Sequence, residues 1–226
     1  MSGALLVGLA GPAGCGKSTA ATLIALDGGW RLVSFADPLR ALALELHPEW
    51  CLLDLQGPKK EVPRPATPLG WGRVEDILIL RAQELTGEDV ADRYPQVLAD
   101  AVSGLQAALS PRAALRLLGD LIRTIDPLAF VAHARARVEV ALAERLSTVI
   151  DDVRYEAEAS MVRDMGGTVV HVRREGVSFR RDHSSEQGVS FVADDLALVN
   201  RGDLSGLRGE LYAVLQPGYR VRESAA

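Results

Sequence analysis

The stretch Ala4-Leu5-Leu6-Val7-Gly8-Leu9-Ala10-Gly11-Pro12-Ala13-Gly14-Cys15-Gly16-Lys17-Ser18 decides the fold. Its first half is a continuous apolar run, Ala4 to Ala10, of the kind that forms a central strand buried on both faces. Its second half fits G-x-x-x-x-G-K-[ST] in full, from Gly11 to Ser18. Gly11, Gly14 and Gly16 let the backbone bend so that its N–H groups converge on phosphate oxygens. The helix that follows adds the partial positive charge of its N-terminus. Lys17 is placed to reach β- and γ-phosphates, and Ser18 to put its hydroxyl on Mg²⁺. Thr19 is a further candidate near the α-phosphate. Cys15 fills a free position of the loop.

Outward from this loop, strands alternate with helices, the pattern of a mostly parallel sheet covered by helices. Lys17 to Leu26 reads as a helix stopped by Gly28–Gly29, and Arg31 to Phe35 as a second strand. Pro38 opens a helix to about Leu46. From His47 to about Trp71 prolines and glycines mark a loop or insertion. Residues 73–110 read as helix in pieces, interrupted near Gly87 and Pro95. Pro111 to Ile125 and Leu128 to Arg145 are clearer helices. Ser147 to Ile150 is a strand running into Asp151–Asp152. Glu156 to Asp164 reads as helix, Thr168 to Val172 as strand and 174–190 as a polar loop or lid. Leu196 to Val199 and Leu204 to Leu215 are a last strand and helix.

The chain has 226 residues, 48% hydrophobic and 24% charged, which suits one α/β domain with an elaboration. A net charge of −5 and a pI near 5.4 argue against a cationic coat for nucleic acid, so no stable nucleic-acid binding is expected. No apolar run approaches the roughly 20 residues of a membrane span. The N-terminus lacks the charged region and cleavable apolar stretch of an export signal. Two cysteines, Cys15 and Cys51, give neither a disulfide framework nor zinc spacing, so a reducing cytoplasm is the expected compartment. Of the 25 basic residues only Lys17, Lys59 and Lys60 are lysines. Coding bias accounts for such a total, so placement is the informative part.

Two placements stand out. Val149-Ile150-Asp151-Asp152 ends a strand in carboxylates, and either aspartate is a candidate to serve Mg²⁺ and its waters. Arg154 follows directly. Arg112, Arg116 and Arg123, spaced by 4 and 7 residues, fall within roughly 40° of one another at about 100° per residue. Gly119 shares their stripe, leaving room for an approaching group, while Leu115, Leu117, Leu118, Leu121 and Ile122 take the other side. The pattern suits a solvated face or a site for a second phosphate. His47, His133 and His171 fit no metal spacing. Trp50 and Trp71 read as packing residues.

Further segments complete a series. Phe35-Ala36-Asp37-Pro38-Leu39-Arg40 follows the phosphate loop, then Lys60-Glu61, Pro111-Arg112, Leu117-Leu118-Gly119 and Arg123. Asp152-Val153-Arg154-Tyr155 with Glu158-Ala159 comes next, then Gly166-Gly167, His171-Val172-Arg173-Arg174 and His183-Ser184-Ser185-Glu186. In this order they resemble the bacteriophage-type deoxynucleoside monophosphate kinases, a branch of the P-loop nucleoside-monophosphate kinase fold. The match is poorest over residues 62–110.

The resemblance implies a three-layer α/β P-loop fold with a parallel sheet of about five strands. It implies one domain over 1–226: a core of 1–47 and 111–226, a helical NMP-binding insertion at about 48–110 and a lid at about 174–190. It implies transfer of the γ-phosphoryl of ATP to a deoxynucleoside monophosphate (dNMP), with Mg²⁺. Asp37 and Arg40 would sit beside the monophosphate, though the family pattern often has Lys where Arg40 stands. Arg112, Arg123 and Arg154 would hold the acceptor phosphate or neutralise charge in transfer; Arg116, on the same helix stripe, is a further candidate to bind the substrate. Asp152 would be the acid near Mg²⁺, with Asp151 beside it leaving that assignment ambiguous by one position. Arg180 and Arg181 would be candidate lid cations. Asn200, after the last strand, reads either as a turn residue or as a residue near the adenine, since ligands gather at strand C-terminal ends in such sheets. A phosphate acceptor is already anionic, so no strong general base is required. The alternatives are a P-loop kinase for another acceptor, a small metabolite or a modified nucleotide in DNA, and a nucleotide-binding regulatory protein. A guanine-reading Asn-Lys-x-Asp segment is absent, which argues against a GTPase switch. Apolar surface on the helical insertion leaves a homodimer open. The host cytoplasm is the expected compartment if the chain is phage-encoded.

Overall fold

The computed structural model describes residues 4–26, 28–179 and 188–215. Among them the order of elements is β1 (Leu6–Ala10), α1 (Lys17–Leu26), β2 (Trp30–Val33), α2 (Asp37–Leu46) and a 3-10 turn (Gly57–Glu61). Then follow α3 (Trp71–Thr86), α4 (Val90–Arg93), α5 (Pro95–Leu105), α6 (Pro111–Ile125) and α7 (Ala129–Ala143). The chain continues with β3 (Ser147–Val153), α8 (Glu156–Asp164), β4 (Thr168–Arg174), β5 (Leu196–Asn200) and α9 (Leu204–Leu215). It divides into two compact units: one takes the residues up to Phe35 and from Ala134 onward, the other Ala36–His133.

The first unit is a five-stranded parallel sheet in the order β2-β3-β1-β4-β5. The apolar run around the phosphate loop becomes its central strand, and all five residues of β1 are buried. Val7, Leu9, Val149, Val170, Val172 and Leu198 form one core with Ala20, Ala21 and Ile24 of α1 and Leu207, Leu211 and Val214 of α9. On the other face α8 comes so close that a Cβ on Gly8 would press on Val162 and Val153. Sheet and two helical layers thus make the three-layer α/β fold expected from the sequence.

Among the strand ends that differ from expectation, those of β2 and β3 bear on the two carboxylates. β2 stops at Val33, so Ser34 and Phe35 leave the ladder. β3 runs on through Asp151, Asp152 and Val153, with Val153 opposite Ala10 after a register shift in β1. The two carboxylates therefore stand within a buried strand rather than on an exposed turn, at 7% and 5% exposure.

The second unit is helical. α2 buries Leu39, Leu42, Ala43 and Leu46, and α6 buries Ala114, Leu118, Leu121 and Ile122. These faces pack on each other and on α3, and α6 also packs on α5. α2 and α6 therefore belong to this unit, whereas the sequence put the insertion at 48–110. Proline and glycine frequency marks where regular structure lapses, not which helices share a core. Gly87 caps α3, and Pro95 occupies the first position of α5, so both breaks read from the sequence are helix ends.

Candidate active site

The phosphate loop takes its shape from glycines whose conformation other residues avoid. Gly11 has φ 140° and Gly16 φ 105°. A Cβ on Gly11 would run into the carbonyl oxygen of Val172, and one on Gly16 into the Asn200 amide. Lys17, the first residue of α1, is 8% exposed. Its Nζ donates to the carbonyls of Gly11 at 2.7 Å and Pro12 at 2.9 Å, so a buried ammonium is satisfied by the loop it belongs to. The Cys15 side chain is fully buried in the sheet core, 3.9 Å from Lys17 Nζ. Its packing role agrees with a small residue at a free loop position.

Ser18 and the strand-end acids come together on this unit. Ser18 Oγ donates to Asp151 Oδ2 at 3.1 Å. Asp152 faces elsewhere: its Oδ2 accepts from Ser34 Oγ at 2.5 Å and its Oδ1 from the Phe35 backbone N–H at 2.8 Å. Adjacent strand residues point to opposite faces, so one of two neighbouring aspartates can join the phosphate loop while the other ties down the end of β2. The structure thus pairs Ser18 with Asp151, not with the Asp152 favoured from the sequence. Arg154 follows where β3 meets α8. Its backbone N–H and that of Tyr155 both donate to Glu158, at 2.7 and 3.1 Å, which fixes the first turn of α8.

Asn200 ends β5, is 6% exposed, and donates from Nδ2 to the Cys15 carbonyl at 2.9 Å. Its Oδ1 accepts from the Gly202 N–H at 2.9 Å. Its side chain is therefore bonded to the phosphate loop and to its own turn, a contact that strand position alone did not reveal. Arg180 and Arg181, with His183 and Glu186, lie outside the described residues.

A polar cluster in this unit escaped the sequence reading. Asp195, with its side chain 1% exposed, accepts from Arg163 Nε and Nη2 at 3.1 and 2.8 Å, and meets His171 Nε2 at 2.9 Å. The Val192 N–H adds a further bond at 3.1 Å. Burial pushes the Asp195 carboxyl up, but these hydrogen bonds outweigh it and hold the group below its ordinary range. Arg163 also reaches the Ser190 carbonyl, whose N–H is held by Glu156. The pattern invisible in sequence is the pairing of a helix, a strand and a loop 24 and 32 residues apart.

The helical unit carries the other candidates. Ser110 caps α6 by accepting the Ala113 N–H at 3.2 Å, and Pro111 opens the helix. Arg112, Arg116 and Arg123 are all half-buried, so their stripe is not a fully solvated face. Arg112 Nε donates to Glu61 Oε1 at 2.6 Å, joining α6 to the 3-10 turn. The Arg123 guanidinium lies 4.7 Å from the centre of the Phe130 ring. A Cβ on Gly119 would come to 2.9 Å from Arg123 Nη1 and 3.4 Å from Leu39 Cδ1. The space that Gly119 leaves is thus used by the arginine one turn on. Asp37 opens α2 and accepts from Arg40 Nη1 at 2.9 Å, both side chains partly exposed.

A buried strand, a glycine loop, a helix opened by Lys-Ser and a neighbouring strand with a carboxylate on that serine define a P-loop α/β protein. The sequence profile described as Deoxynucleotide monophosphate kinase matches residues 96–211, just over half of the chain, a span that begins beyond the phosphate loop. The chain belongs to this family. A protein of Acanthamoeba polyphaga mimivirus, provisionally named a deoxynucleotide monophosphate kinase, is 27% identical over 208 residues, covering 87% of this chain and 88% of its own length. The deoxynucleotide monophosphate kinase of Escherichia phage RB69 is 34% identical over 68 residues, 30% of this chain and 28% of that enzyme. Among the described residues no helix is long and apolar enough to cross a membrane.

Proposed function

We propose that this chain transfers the γ-phosphoryl group of ATP to a deoxynucleoside monophosphate, giving ADP and the deoxynucleoside diphosphate. The bond between Ser18 Oγ and Asp151 Oδ2 carries this reading most directly, because it joins the hydroxyl of a complete phosphate loop to a strand-end carboxylate. The loop amides and Lys17 would bind the donor phosphates, Lys17 exchanging its carbonyl partners for phosphate oxygens. On the helical unit Arg112, Arg116 and Arg123, with Asp37 and Arg40 on α2, are proposed to bind the acceptor, and Arg154 to neutralise charge in transfer.

Mg²⁺ fits the donors present. A hydroxyl and a carboxylate are hard oxygen ligands, and this ion commonly uses one or two carboxylates together with phosphates and waters. Ser18 and Asp151 would hold it, with Asp152 orienting the chain beside them. When bound it neutralises phosphate charge. Among the described residues no group of three or more His, Cys, Asp or Glu offers a rival metal site.

The residues' part in the reaction is positioning and charge. The acceptor is already an anionic oxygen, so the chain needs to orient it in line and compensate developing charge on the equatorial oxygens. Incubation of the purified protein with ATP, Mg²⁺ and each of the four common dNMPs in turn should give ADP and the matching diphosphate with at least one. Turnover on a metabolite or on DNA, with none on any dNMP, would replace this reading.

A further inference from the structure

We infer that Asn200 is a positioning residue for the phosphate loop, acting through the Cys15 carbonyl and not through the adenine. The inference rests on the reading that this loop binds the phosphates of ATP. The loop's N–H groups can converge on phosphate only if its peptide planes are fixed, and a peptide plane is fixed by either of its ends. The Cys15 carbonyl belongs to the peptide whose N–H is that of Gly16. Asn200 Nδ2 holds that carbonyl at 2.9 Å in a buried setting. The Gly11 and Pro12 carbonyls are held from within the motif, by Lys17 Nζ at 2.7 and 2.9 Å, and the Cys15 N–H reaches the Pro12 carbonyl at 3.3 Å; Asn200 holds the Cys15 carbonyl from a different strand.

The amide orientation is determined by its partners, since the Cys15 carbonyl requires a donor and the Gly202 N–H an acceptor. Asn200 therefore has two separable tasks. Oδ1 shapes the turn that leads from β5 to α9, and Nδ2 orients the loop peptide. Gly16 completes the arrangement from the other side: any side chain there would displace the Asn200 amide and would need φ 105°. On this view the glycine before Lys17 is required as much for the asparagine's approach as for the turn itself.

The two tasks separate in Asn200→Asp. The introduced carboxylate keeps an acceptor for Gly202 N–H but replaces the donor to Cys15 by a lone pair facing a carbonyl. Direct binding assays with ATP and with inorganic tripolyphosphate test the idea, both with Mg²⁺ present. The variant should lose roughly tenfold or more in affinity for both ligands by a similar factor. The loss should shrink as pH falls and the introduced carboxyl gains a proton to donate, measured as the ratio to the unaltered protein at each pH. Thermal melting of the variant should stay within a few degrees of the unaltered protein. Loss confined to ATP, with tripolyphosphate unaffected, would make Asn200 an adenine contact and overturn the inference. So would unchanged affinity for both, or a loss that tracks melting temperature and ignores pH. Because binding is read directly, the outcome does not depend on which acceptor the chain phosphorylates.

Discussion

The phosphate loop and helix α6 both present cations, but they come by them in opposite ways. Lys17 is set by its own neighbourhood, its ammonium bonded to carbonyls six and five residues back. Arg112 is paired with Glu61, 51 residues earlier, and Arg123 lies over Phe130 beyond the helix end. Eight contiguous residues therefore encode the body of one site, which Asp151 and Asn200 complete from other strands. The other is an assembly of several elements, each contributing a side chain whose position depends on packing. The local site should lose function outright when a defining residue such as Lys17 is changed, while a distributed one should lose function in fractions as its members are removed.

The sharpest contrast comes from Lys17→Ala. A positioned cation on transferring phosphates is expected to contribute about a thousandfold or more to turnover, so the variant should be nearly inactive. Far-UV circular dichroism should be unchanged, because the bonds from Lys17 Nζ to the Gly11 and Pro12 carbonyls lie within the loop and outside the helix and strand ladders. Residual activity within tenfold of the unaltered protein would show that the local site is not where the donor binds.

Asp151 and Asp152 repeat the comparison within a single strand. Asp151→Asn should reduce turnover by about a hundredfold and raise the Mg²⁺ concentration needed for half-maximal rate. Asp152→Asn should act chiefly on stability, by about 1–3 kcal/mol, since it weakens buried bonds to Ser34 and Phe35. Urea unfolding with activity titrations in Mg²⁺ separates the two; exchanged phenotypes would return the metal role to Asp152. The sequence could narrow this choice to two residues and no further. Strand alternation guarantees that neighbours diverge, but which one faces the loop depends on the register of β3 against β1, which shifts between Gly8 and Ala10.

The same limit governs the rest. The phosphate loop, the succession of strands and helices and the arginine stripe were legible because each follows from local spacing along the chain, whereas the half-burial of that stripe depends on packing and was not. Gly119 was legible as a gap but not in its use, since the group that takes the space is Arg123, held there also by Phe130. Arg123→Ala should raise the KM for the dNMP by about tenfold or more, with a smaller change for ATP. Gly119→Ala should reproduce part of that effect by displacing the guanidinium while leaving every charge in place. If Gly119→Ala left the dNMP KM untouched, the placement of Arg123 by Gly119 would not matter to acceptor binding. A selective loss of ATP affinity in Arg123→Ala would move the arginine to the donor side.

The smallest effect belongs to the cluster that the sequence did not announce at all. Asp195 binds Arg163, His171 and the Val192 N–H, and its carboxyl titrates below the ordinary value of 3.8. A carboxyl lowered in the folded state binds its proton more readily when unfolded. Its contribution is therefore complete above the ordinary carboxylate range and is lost as pH falls through the folded value. Asp195→Asn should cost about 1–3 kcal/mol at pH 7, by leaving Arg163 with a neutral partner in a buried setting. The gap between variant and unaltered protein should narrow in urea unfolding as pH is taken below the ordinary carboxylate range, toward the point where the unaltered carboxyl takes up its proton. A gap that stays constant with pH would mean that shape, not charge, makes Asp195 fit. The cluster would then resemble the phosphate loop, where geometry dominates, more than the arginine-bearing helix, where charge does.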